Sequence, residues 1–457
     1  MLHIQRYERS YLFKQHDKAS SLTTSVSPGC GSTSRPTGEI CYAANDVKAT
    51  MFCCTLPFLL GVAVAFAGLS YVMYIPIKEG IVDTYQARTT AIFSRLIGIV
   101  GGVTESLGIA NRLTVSRMFT NLAFADNKPP PDTDELKVED YIFDDVPVRL
   151  YRPTKANKPS PCVIFIHGGG WTILNVDTYD DVVSEFAVRS GYVFISIEYP
   201  LAPENPFPIP FEACLKAALH VFTHAETYGV DPQKIAIAGD SAGGNLAAAV
   251  ALKLSELKDV PKLSFQWLIY PATQAFSFKT PSYIANDDAV PYFLQIKTMA
   301  QFWCNYLGIN TPTMTKAFTT DNHTSRKLKQ SIYASYVDSK LLPTKYQGSD
   351  NTRFDYGDDE ISNQIEKVIL NPYFAPLMAR DLSGVAPAFV VTAEFDVLRD
   401  DGLMYAQRMK DAGVDVVVYN SPGSIHGFMM RGGSMPKYAD SDHTIDMFVK
   451  YAKKQFK

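Results

Sequence analysis

The sequence predicts an α/β protein: a mostly parallel, eight-stranded sheet with a helical lid, preceded by one transmembrane helix. Three observations lead to this prediction. From about residue 131 to the C-terminus, short β-rich runs alternate with amphipathic helical stretches, a pattern typical of strands joined by helical crossovers. An apolar run without charged residues precedes them. About 100 residues between 271 and 373 interrupt the alternation.

The composition is that of a folded protein, 46% hydrophobic and 20% charged. A net charge of −4 argues against a general nucleic-acid binder, which would carry a basic surplus. The seven cysteines fit neither the spacing of a zinc site nor a dense disulfide framework. We therefore predict no nucleic-acid partner and no metal, and the sequence leads to no prediction of oligomeric state.

The N-terminal region divides into a polar tail and an apolar run. Residues 1–48 are rich in Ser and Thr and are predicted to be disordered. Residues 49–75 are predicted to form a transmembrane signal anchor, because 51–75 contain no charge and are long enough to cross a bilayer. A cleaved signal peptide is the alternative, but its apolar region would be shorter and nearer the N-terminus. Basic residues flank both sides of the run, so the positive-inside rule leaves its orientation open.

The remaining chain is predicted as a helical segment, 76–130, and a catalytic domain, 131–457. The helical pattern ends at the Pro-rich break DNKPPPDTD. Residues 272–372 follow a sheet strand and carry aromatic and polar clusters without clear strands, which predicts a lid insert. Helices are expected, for example, over 211–227 and 402–412. The eight predicted strands are KVEDYIFDD, VPVRLYRP, CVIFIH, YVFISIEY, KIAIAGD, FQWLIYP, AFVVTAEFD and VVVYNSP, and the first two leave no room for a helix between them, so they should be antiparallel.

Ser241 is the predicted nucleophile. It lies in Gly-Asp-Ser-Ala-Gly, between the apolar strand KIAIAG and the strong helix former AGGNLAAAVALKL. Glycines at such a strand-to-helix turn permit the strained backbone that lifts a serine hydroxyl above the sheet. A dinucleotide-binding turn would instead show G-x-G-x-x-G, which this segment does not.

The loop HGGGW, after the strand CVIFIH, is the predicted oxyanion hole. Backbone N–H groups in a glycine loop can stabilise the charge that develops on an acyl oxygen. We expect Gly168 and Gly169 to donate, together with the N–H of Ala242. A phosphate-binding loop would continue with Gly-Lys-Ser/Thr, whereas Trp171 and Thr172 follow here.

A serine nucleophile needs a base, and His426 is the predicted one because it follows the last strand, in NSPGSIHGF. His220 and His224 have a spacing that can bind metal, but no further ligand is evident, and His323 is expected in a surface loop. The other histidines are assigned to the tail, the glycine loop and the last helix: His3, His16, His167 and His443.

Asp396 is the predicted orienting carboxylate, because it occupies the turn at the end of AFVVTAEFD. Glu394 lies inside the strand pattern and is the minor alternative. Asp400 and Asp401 are interpreted as first-turn helix charges that favour the macrodipole. The chain order Ser, Asp, His is the order of α/β-hydrolases, and each residue falls at the C-terminal end of a strand, where open parallel sheets place their sites.

These segments resemble the hormone-sensitive-lipase branch of the α/β-hydrolases, and within it the group of arylacetamide deacetylases and neutral cholesterol ester hydrolases. The motifs that carry the resemblance are HGGGW, YPLAPENPFPIPFE, GDSAGGNLAAAV, LIYPA, DVLRDDGLMYAQRM and HGF. The resemblance implies the triad Ser241, Asp396 and His426, and a lid built from 76–130 and the insert. It also implies a type II signal anchor in the endoplasmic reticulum membrane, with the catalytic domain in the lumen.

The chain departs from that group at two places. Tyr199-Pro200-Leu201 stands where the group usually has Tyr-Arg-Leu, so a local structural change with retained chemistry is expected. The tail of nearly fifty residues ahead of the anchor is the second departure.

The sequence therefore predicts a membrane-anchored serine esterase or lipase that needs no cofactor. Its partners would be an apolar ester substrate and, through one helix, the lipid bilayer; aryl amides and acetyl or sterol esters are the substrate classes considered. The alternative function is a non-catalytic ligand receptor on the same fold. Asn322, in the sequon Asn-His-Thr, would be glycosylated in a lumenal domain. The charged residues of the insert, Arg326, Lys327, Lys329 and DYGDDE, are expected to face solvent.

Overall fold

A computed structural model describes residues 58–64, 66–71, 73–124, 133–348, 357–431 and 437–457. The predicted tail and residues 49–57 of the predicted anchor lie outside the described residues. The chain divides into two compact units, 1–67 and 68–457. The described part of the first unit is helical, as are residues 68–71 and 73 of the second. None of the helices in these described ranges is both long and apolar enough to cross a membrane.

All eight predicted strands are present in one sheet, with the order β1-β2-β4-β3-β5-β6-β7-β8. β1 is antiparallel to β2 and β2 to β4, while every other neighbouring pair is parallel. The predicted antiparallel entry and the mostly parallel sheet are therefore confirmed. The strands are β1 (Leu136–Phe143), β2 (Val146–Pro153), β3 (Ser160–Ile166), β4 (Val193–Ile197), β5 (Val230–Asp240), β6 (Gln266–Ile269), β7 (Ala388–Phe395) and β8 (Val416–Ile425).

Helices cover both faces of the sheet. The helix predicted over 211–227 begins two residues earlier and ends at Thr223, and a separate 3-10 turn (Ala225–Tyr228) follows it. The helix predicted over 402–412 begins three residues earlier and ends at Asp411. The described part of the insert contains helices and 3-10 turns and no strand. The helices are α1 (Thr84–Ser106), α2 (Arg112–Phe124), α3 (Asp180–Ser190), α4 (Ile209–Thr223), α5 (Ala242–Glu256), α6 (Pro281–Asn286), α7 (Ile296–Leu307), α8 (Pro312–Thr319), α9 (Arg326–Lys329), α10 (Asp359–Ile369), α11 (Arg399–Asp411) and α12 (Ser441–Gln455).

The core has two layers because both faces of the parallel strands are buried. On β3, Ile164 and Ile166 pack into the layer that contains α4, α5 and α11, whereas Val163 and Phe165 pack into the layer with α3 and α12. The central strands therefore read as continuous apolar runs, which made them recognisable in the sequence. This double covering leaves the C-terminal edge of the sheet as the place where polar groups converge.

Two surface predictions in the insert are wrong. His323 is fully buried, its ring stacks on Phe318 with centroids 4.0 Å apart, and its Nε2 lies 2.8 Å from the carbonyl oxygen of Ala275. Burial lowers the pKa of His323. The Lys329 side chain is only 4% exposed and its Nζ lies 3.2 Å from a carboxylate oxygen of Asp321. The polar sequence of this turn suggests a surface loop, but the ion pair with Asp321 and the stacking on Phe318 allow Lys329 and His323 to be buried.

The neighbouring predictions have other outcomes. The side chains of Arg326 and Lys327 are exposed, as expected, as are the described acidic residues Asp358 to Glu360. Asn322 of the sequon is half-buried and Thr324 is fully buried. Glycosylation of Asn322 stays a prediction.

Candidate active site

Ser241 lies between β5 and α5 with φ 55° and ψ −120°, a conformation that few residues other than glycine adopt. The flanking positions need glycine because a side chain there would clash with neighbouring backbone atoms. A Cβ on Gly239 would lie 2.3 Å from the carbonyl oxygen of Gly243, and one on Gly243 would lie 2.0 Å from that of Ile166. The predicted strand-to-helix turn is confirmed, and close backbone packing explains why the motif needs glycine on both sides.

The structure brings Ser241, His426 and Asp396 together from three strand ends. Nε2 of His426 lies 3.0 Å from Ser241 Oγ, and Nδ1 lies 2.7 Å from Asp396 Oδ2. Because a carboxylate only accepts, Nδ1–H donates to Asp396 and Nε2 is left as the acceptor for the serine proton. Asp396 is 1% exposed, and its other oxygen accepts the N–H of Leu398 at 2.9 Å. This arrangement can activate a hydroxyl and stabilise an imidazolium.

Glu394, the alternative carboxylate, has a different partner. Its Oε2 accepts the backbone N–H of Gly423 at 2.9 Å, so it fixes the β8 end of the sheet. Of the two candidate carboxylates, it is Asp396, at the turn after β7, that bonds to His426.

The glycine loop departs from the predicted donor set. The N–H of Gly168 donates to the hydroxyl of Tyr179 at 3.0 Å, so it is already engaged and the assignment of Gly168 as an oxyanion donor is wrong. Gly169 and Gly170 adopt positive φ, 101° and 58°. Within the described residues, no hydrogen bond engages the N–H of either one. The N–H of Gly168 is engaged by the side chain of a residue eleven positions later in the chain. The glycine pattern alone does not indicate this contact.

Asp240 is a buried carboxylate beside Ser241 that the sequence did not single out. Tyr179 donates its hydroxyl to Asp240 Oδ2 at 2.9 Å while accepting from Gly168. Burial raises the pKa of Asp240 to about 6, and the Tyr179 hydrogen bond opposes the rise. The two hydrogen bonds of the Tyr179 hydroxyl, to Asp240 and from Gly168, therefore connect the turn that contains Ser241 to the glycine loop. Its one visible signal was an acidic residue inside the Gly-x-Ser-x-Gly motif.

The stacked rings of His167 and Tyr199 stabilise the start of the glycine loop. Their rings stack with centroids 4.3 Å apart, and the Tyr199 hydroxyl donates to the carbonyl of His167 at 2.9 Å. Burial lowers the pKa of His167 to about 4, so its ring is neutral at pH 7 and serves packing. This assigns His167 to the loop, as predicted.

Arg117 of α2 holds the loop that contains Pro200. Its Nε donates to the carbonyl of Thr172 at 2.7 Å, and its NH2 donates to the carbonyl of Ala202 at 2.9 Å. The same guanidinium forms two hydrogen bonds with Glu204. An arginine far away in the sequence thus joins the two loops beside Pro200, which no local pattern indicated. The local structural change expected at Pro200 stays a prediction.

Asp400 and Asp401 occupy the first turn of α11, as predicted, but both are fully buried. Asp400 accepts the N–H of Ser282 at 2.6 Å, and Asp401 accepts from the N–H of Thr273 at 3.2 Å and from Gln274 at 3.0 Å. These carboxylates therefore tie the start of the insert to the helix that follows Asp396.

The insert also contacts the catalytic loops with aromatic rings. Phe293 lies 6.3 Å from the ring of His426, centroid to centroid. Tyr306 of α7 stacks on Trp171 of the glycine loop with centroids 4.6 Å apart. A Cβ on Gly170 would lie 2.4 Å from the ring of Phe302. Apolar side chains of the insert thus lie next to Ser241's partners and can shield an apolar acyl group from water.

Comparison with known proteins agrees with this geometry. A family described as alpha/beta hydrolase fold matches residues 163–338 and 339–430. Arylacetamide deacetylase of Bos taurus is 36% identical over 366 residues, which are 78% of this chain and 89% of the relative. Neutral cholesterol ester hydrolase 1 of Rattus norvegicus is 31% identical over 402 residues, 85% of this chain and 97% of the relative.

Solved structures give the same result. A thermostable esterase from Pseudomonas putida ECU1011 superposes with a TM-score of 0.60 at 25% identity, covering 84% of this chain and 99% of that one. A bacterial heroin esterase superposes with a TM-score of 0.55 at 26% identity, covering 76% and 92%.

Proposed function

This chain belongs to the α/β-hydrolase family and is an enzyme of the ester hydrolase class. We propose that it hydrolyses carboxylic esters of apolar substrates and that Ser241 is the nucleophile. The observation that carries the proposal is the pair of contacts of His426, to Ser241 at 3.0 Å and to Asp396 at 2.7 Å. A serine hydroxyl without such a base is a weak nucleophile.

The reaction proceeds in two halves. His426 Nε2 takes the proton of Ser241 as Oγ bonds to the acyl carbon, and the carbonyl π electrons move onto the acyl oxygen. When that intermediate collapses, the protonated His426 gives its proton to the departing alkoxide and an acyl-serine remains. Water then attacks the acyl-serine with His426 as base, and release of the carboxylic acid restores Ser241. Asp396 holds the imidazole in the required tautomer and stabilises its charged form.

The acyl oxygen needs hydrogen-bond donors as it becomes negative. We assign this role to the N–H groups of Gly169, Gly170 and Ala242, with Gly170 in place of Gly168, which Tyr179 already engages. Ala242 opens α5, so its N–H lies at the positive end of a fifteen-residue helix. Loss of one such donor typically costs about 10²–10³ in kcat.

The substrate is proposed to be apolar. Two relatives are named for arylacetamide and neutral cholesterol ester substrates, and Phe293, Phe302 and Tyr306 line the catalytic loops here. Aryl amides, acetyl esters and sterol esters are the classes to compare. Turnover of an aryl amide and of acetyl, butyryl, long-chain and sterol esters ranks them directly, and a preference for the most water-soluble ester would contradict an apolar substrate.

Membrane attachment through residues 49–75, as a type II anchor of the endoplasmic reticulum with a lumenal catalytic domain, is also proposed. The charge-free run 51–75 supports it. Alkaline carbonate extraction should leave the full chain in the membrane pellet, and release into the supernatant would contradict attachment by a helix.

Ser241→Ala tests the central step. Hydrolysis of p-nitrophenyl acetate and butyrate should fall to the uncatalysed level, because no other hydroxyl lies against His426 Nε2 among the described residues. Ser335→Ala is the matched control, because Ser335 is exposed on the insert and, among the described residues, its hydroxyl bonds only to the carbonyl of Ile332. Unchanged turnover of Ser241→Ala would refute the assignment.

A further inference from the structure

A cavity of about 760 Å³, whose lining does not include Ser241, Asp396 or His426, lies where the C-terminal end of the predicted anchor and the residues after it meet α1 and the insert. We call it the Arg95 cavity. Its walls come from Tyr71, from residues 74–78, from α1 and from residues 285–292. The side chains that matter for its chemistry are Tyr71, Tyr74, Lys78, Arg95, Asp288 and Tyr292.

Arg95 is the most unusual group in the cavity wall. It is only 5% exposed, and its guanidinium lies 3.9 Å from the centroid of the Tyr71 ring and 4.7 Å from that of Tyr292. Its NH1 donates to the carbonyl of Tyr71 at 2.7 Å. No carboxylate pairs with Arg95 in the part of the chain that the structure describes. Buried arginines are rarely left without an anion, because burial without one costs several kcal/mol (order of magnitude).

The two tyrosine faces compensate part of that cost through cation–π contact, worth about 1–2 kcal/mol when desolvated. They hold the guanidinium plane in place but offer no anion to its remaining N–H groups. A planar guanidinium fixed in this way is suited to bidentate binding of a phosphate or a carboxylate.

The cavity walls are preformed. The N–H of Lys78 donates to the carbonyl of Ala289 at 3.2 Å, and Lys78 Nζ donates to that of Ala285 at 2.6 Å. The segment after the anchor is thereby fixed to the insert. Asp288, the one acidic side chain among the described lining residues, accepts a hydrogen bond from Gln295 at 3.2 Å. Lys78 and Asp288 therefore each have a hydrogen-bond partner before a ligand enters.

The position of the cavity indicates an amphiphile. The charge-free run ends at Ile75, within the segment that forms one wall. Tyr71 and Tyr74 are strongly exposed, 67% and 78%, as expected for aromatic residues at a membrane–water interface. Proline, alanine and isoleucine side chains form the rest of the lining and give an acyl chain an apolar path.

We propose that the Arg95 cavity binds an amphiphile with an anionic oxygen headgroup, which pairs with Arg95 while its chain lies against the apolar wall. The proposal rests on the proposed membrane attachment, which would place the cavity at headgroup depth. Two sources share this chemistry: a membrane phospholipid with net negative charge, and the fatty acid that ester hydrolysis releases.

The test is a calorimetric titration of the full chain in an uncharged maltoside detergent. Four ligands are compared: dihexanoyl-phosphatidylglycerol, dihexanoyl-phosphatidylcholine, octanoate and inorganic phosphate. We expect the first or the third to bind at least tenfold more tightly than phosphatidylcholine and than phosphate. Binding of phosphatidylglycerol alone identifies the phospholipid, and binding of octanoate alone identifies the fatty acid. Equal binding of phosphatidylcholine, or of phosphate, would overturn the proposal.

Variants assign the binding to Arg95. Arg95→Gln should weaken the anionic amphiphile at least tenfold. Arg88→Gln, the matched control on the same helix, should stay within twofold, because Arg88 donates to the carbonyl of Ile75 but does not line the cavity. Wild-type affinity of Arg95→Gln, or an equal loss in Arg88→Gln, would overturn the assignment.

Ala285→Trp blocks the cavity without touching Arg95, because Ala285 is exposed in the wall, and it should also abolish binding. This variant keeps the proposal falsifiable if Arg95→Gln does not fold; full binding by Ala285→Trp would refute it. Turnover of a water-soluble acetate ester is measured on every sample. Loss of the lipid titration with turnover intact contradicts only the Arg95 cavity, whereas absent turnover in the wild type contradicts the proposed function.

Discussion

The C-terminal edge of the sheet and the Arg95 cavity both bury charged side chains, but they satisfy them differently. At the sheet edge, His426 and Asp396 pair with each other and Asp396 also accepts a backbone N–H. In the cavity, Arg95 has a carbonyl and two aromatic rings. In the first site the polar side chains bond to one another. In the second, no carboxylate of the described residues pairs with Arg95, which is why it points to a ligand of opposite charge.

Asp396→Asn should affect one region and not the other, and its effect should exceed those of the three variants that follow. The amide cannot hold His426 in the tautomer that leaves Nε2 free, so kcat for p-nitrophenyl butyrate should fall on the order of 10³–10⁴-fold. Binding of the anionic amphiphile should not change. Loss of both activities in this variant would show that the two regions are not independent.

Asp401→Ala tests whether buried carboxylates near the site are structural. It would leave the N–H of Thr273 and the amide of Gln274 without their acceptor, so the free energy of unfolding should fall by about 2–4 kcal/mol. Asp411→Ala, in the same helix but exposed, should change it by less than about 0.5 kcal/mol. Chemical denaturation of both variants measures the difference, and equal values would contradict this role.

Glu198→Gln addresses a carboxylate at the end of β4 that the mechanism does not use. Its Oε2 accepts the N–H of Val176 at 2.7 Å, and burial raises its pKa from 4.5 to about 7. The folded state therefore binds more protons than the unfolded state between these pH values, so wild-type stability falls as pH rises through that window. The amide does not titrate and can still accept the hydrogen bond.

The free energy of unfolding of Glu198→Gln relative to the wild type should accordingly increase between pH 4.5 and pH 7.5, by on the order of 2 kcal/mol. Thermal unfolding at the two pH values shows the trend. A difference between the proteins that does not depend on pH would contradict the raised pKa.

Tyr179→Phe should have the smallest effect. It tests whether the Tyr179 hydroxyl positions the glycine loop. It removes the hydroxyl that joins Gly168 to Asp240, so kcat should fall roughly tenfold, about 1.4 kcal/mol, with KM nearly constant. Tyr405→Phe is the control, because the buried Tyr405 hydroxyl has no hydrogen-bond partner among the described residues. An equal drop in both variants would mean that the loss is not specific to the loop.

The parts that could be predicted from sequence are those fixed by local pattern. Ser241 lies at a turn whose strand, glycines and helix are consecutive in the chain, and His426 and Asp396 follow strands with strong apolar runs. Parallel strands bring such ends to one edge, so contact between the three could be expected without knowing a single distance.

The parts that could not be predicted depend on tertiary contacts that no local sequence pattern indicates. The N–H of Gly168 is engaged by a tyrosine hydroxyl of the next layer, and His323 and Lys329 are buried by contacts that a polar turn does not reveal. The sequence gives no sign that Arg95 is buried, because its enclosing rings, Tyr71 and Tyr292, are more than 200 residues apart.

Covalent labelling tests the central claim most directly. A fluorophosphonate should react with the full chain, and mass spectrometry should locate a single adduct on Ser241, with labelling lost in His426→Ala because Oγ then has no base. A non-catalytic receptor on the same fold would not react. An unlabelled wild-type chain, or an adduct on another residue, would contradict the assignment of Ser241 as the nucleophile.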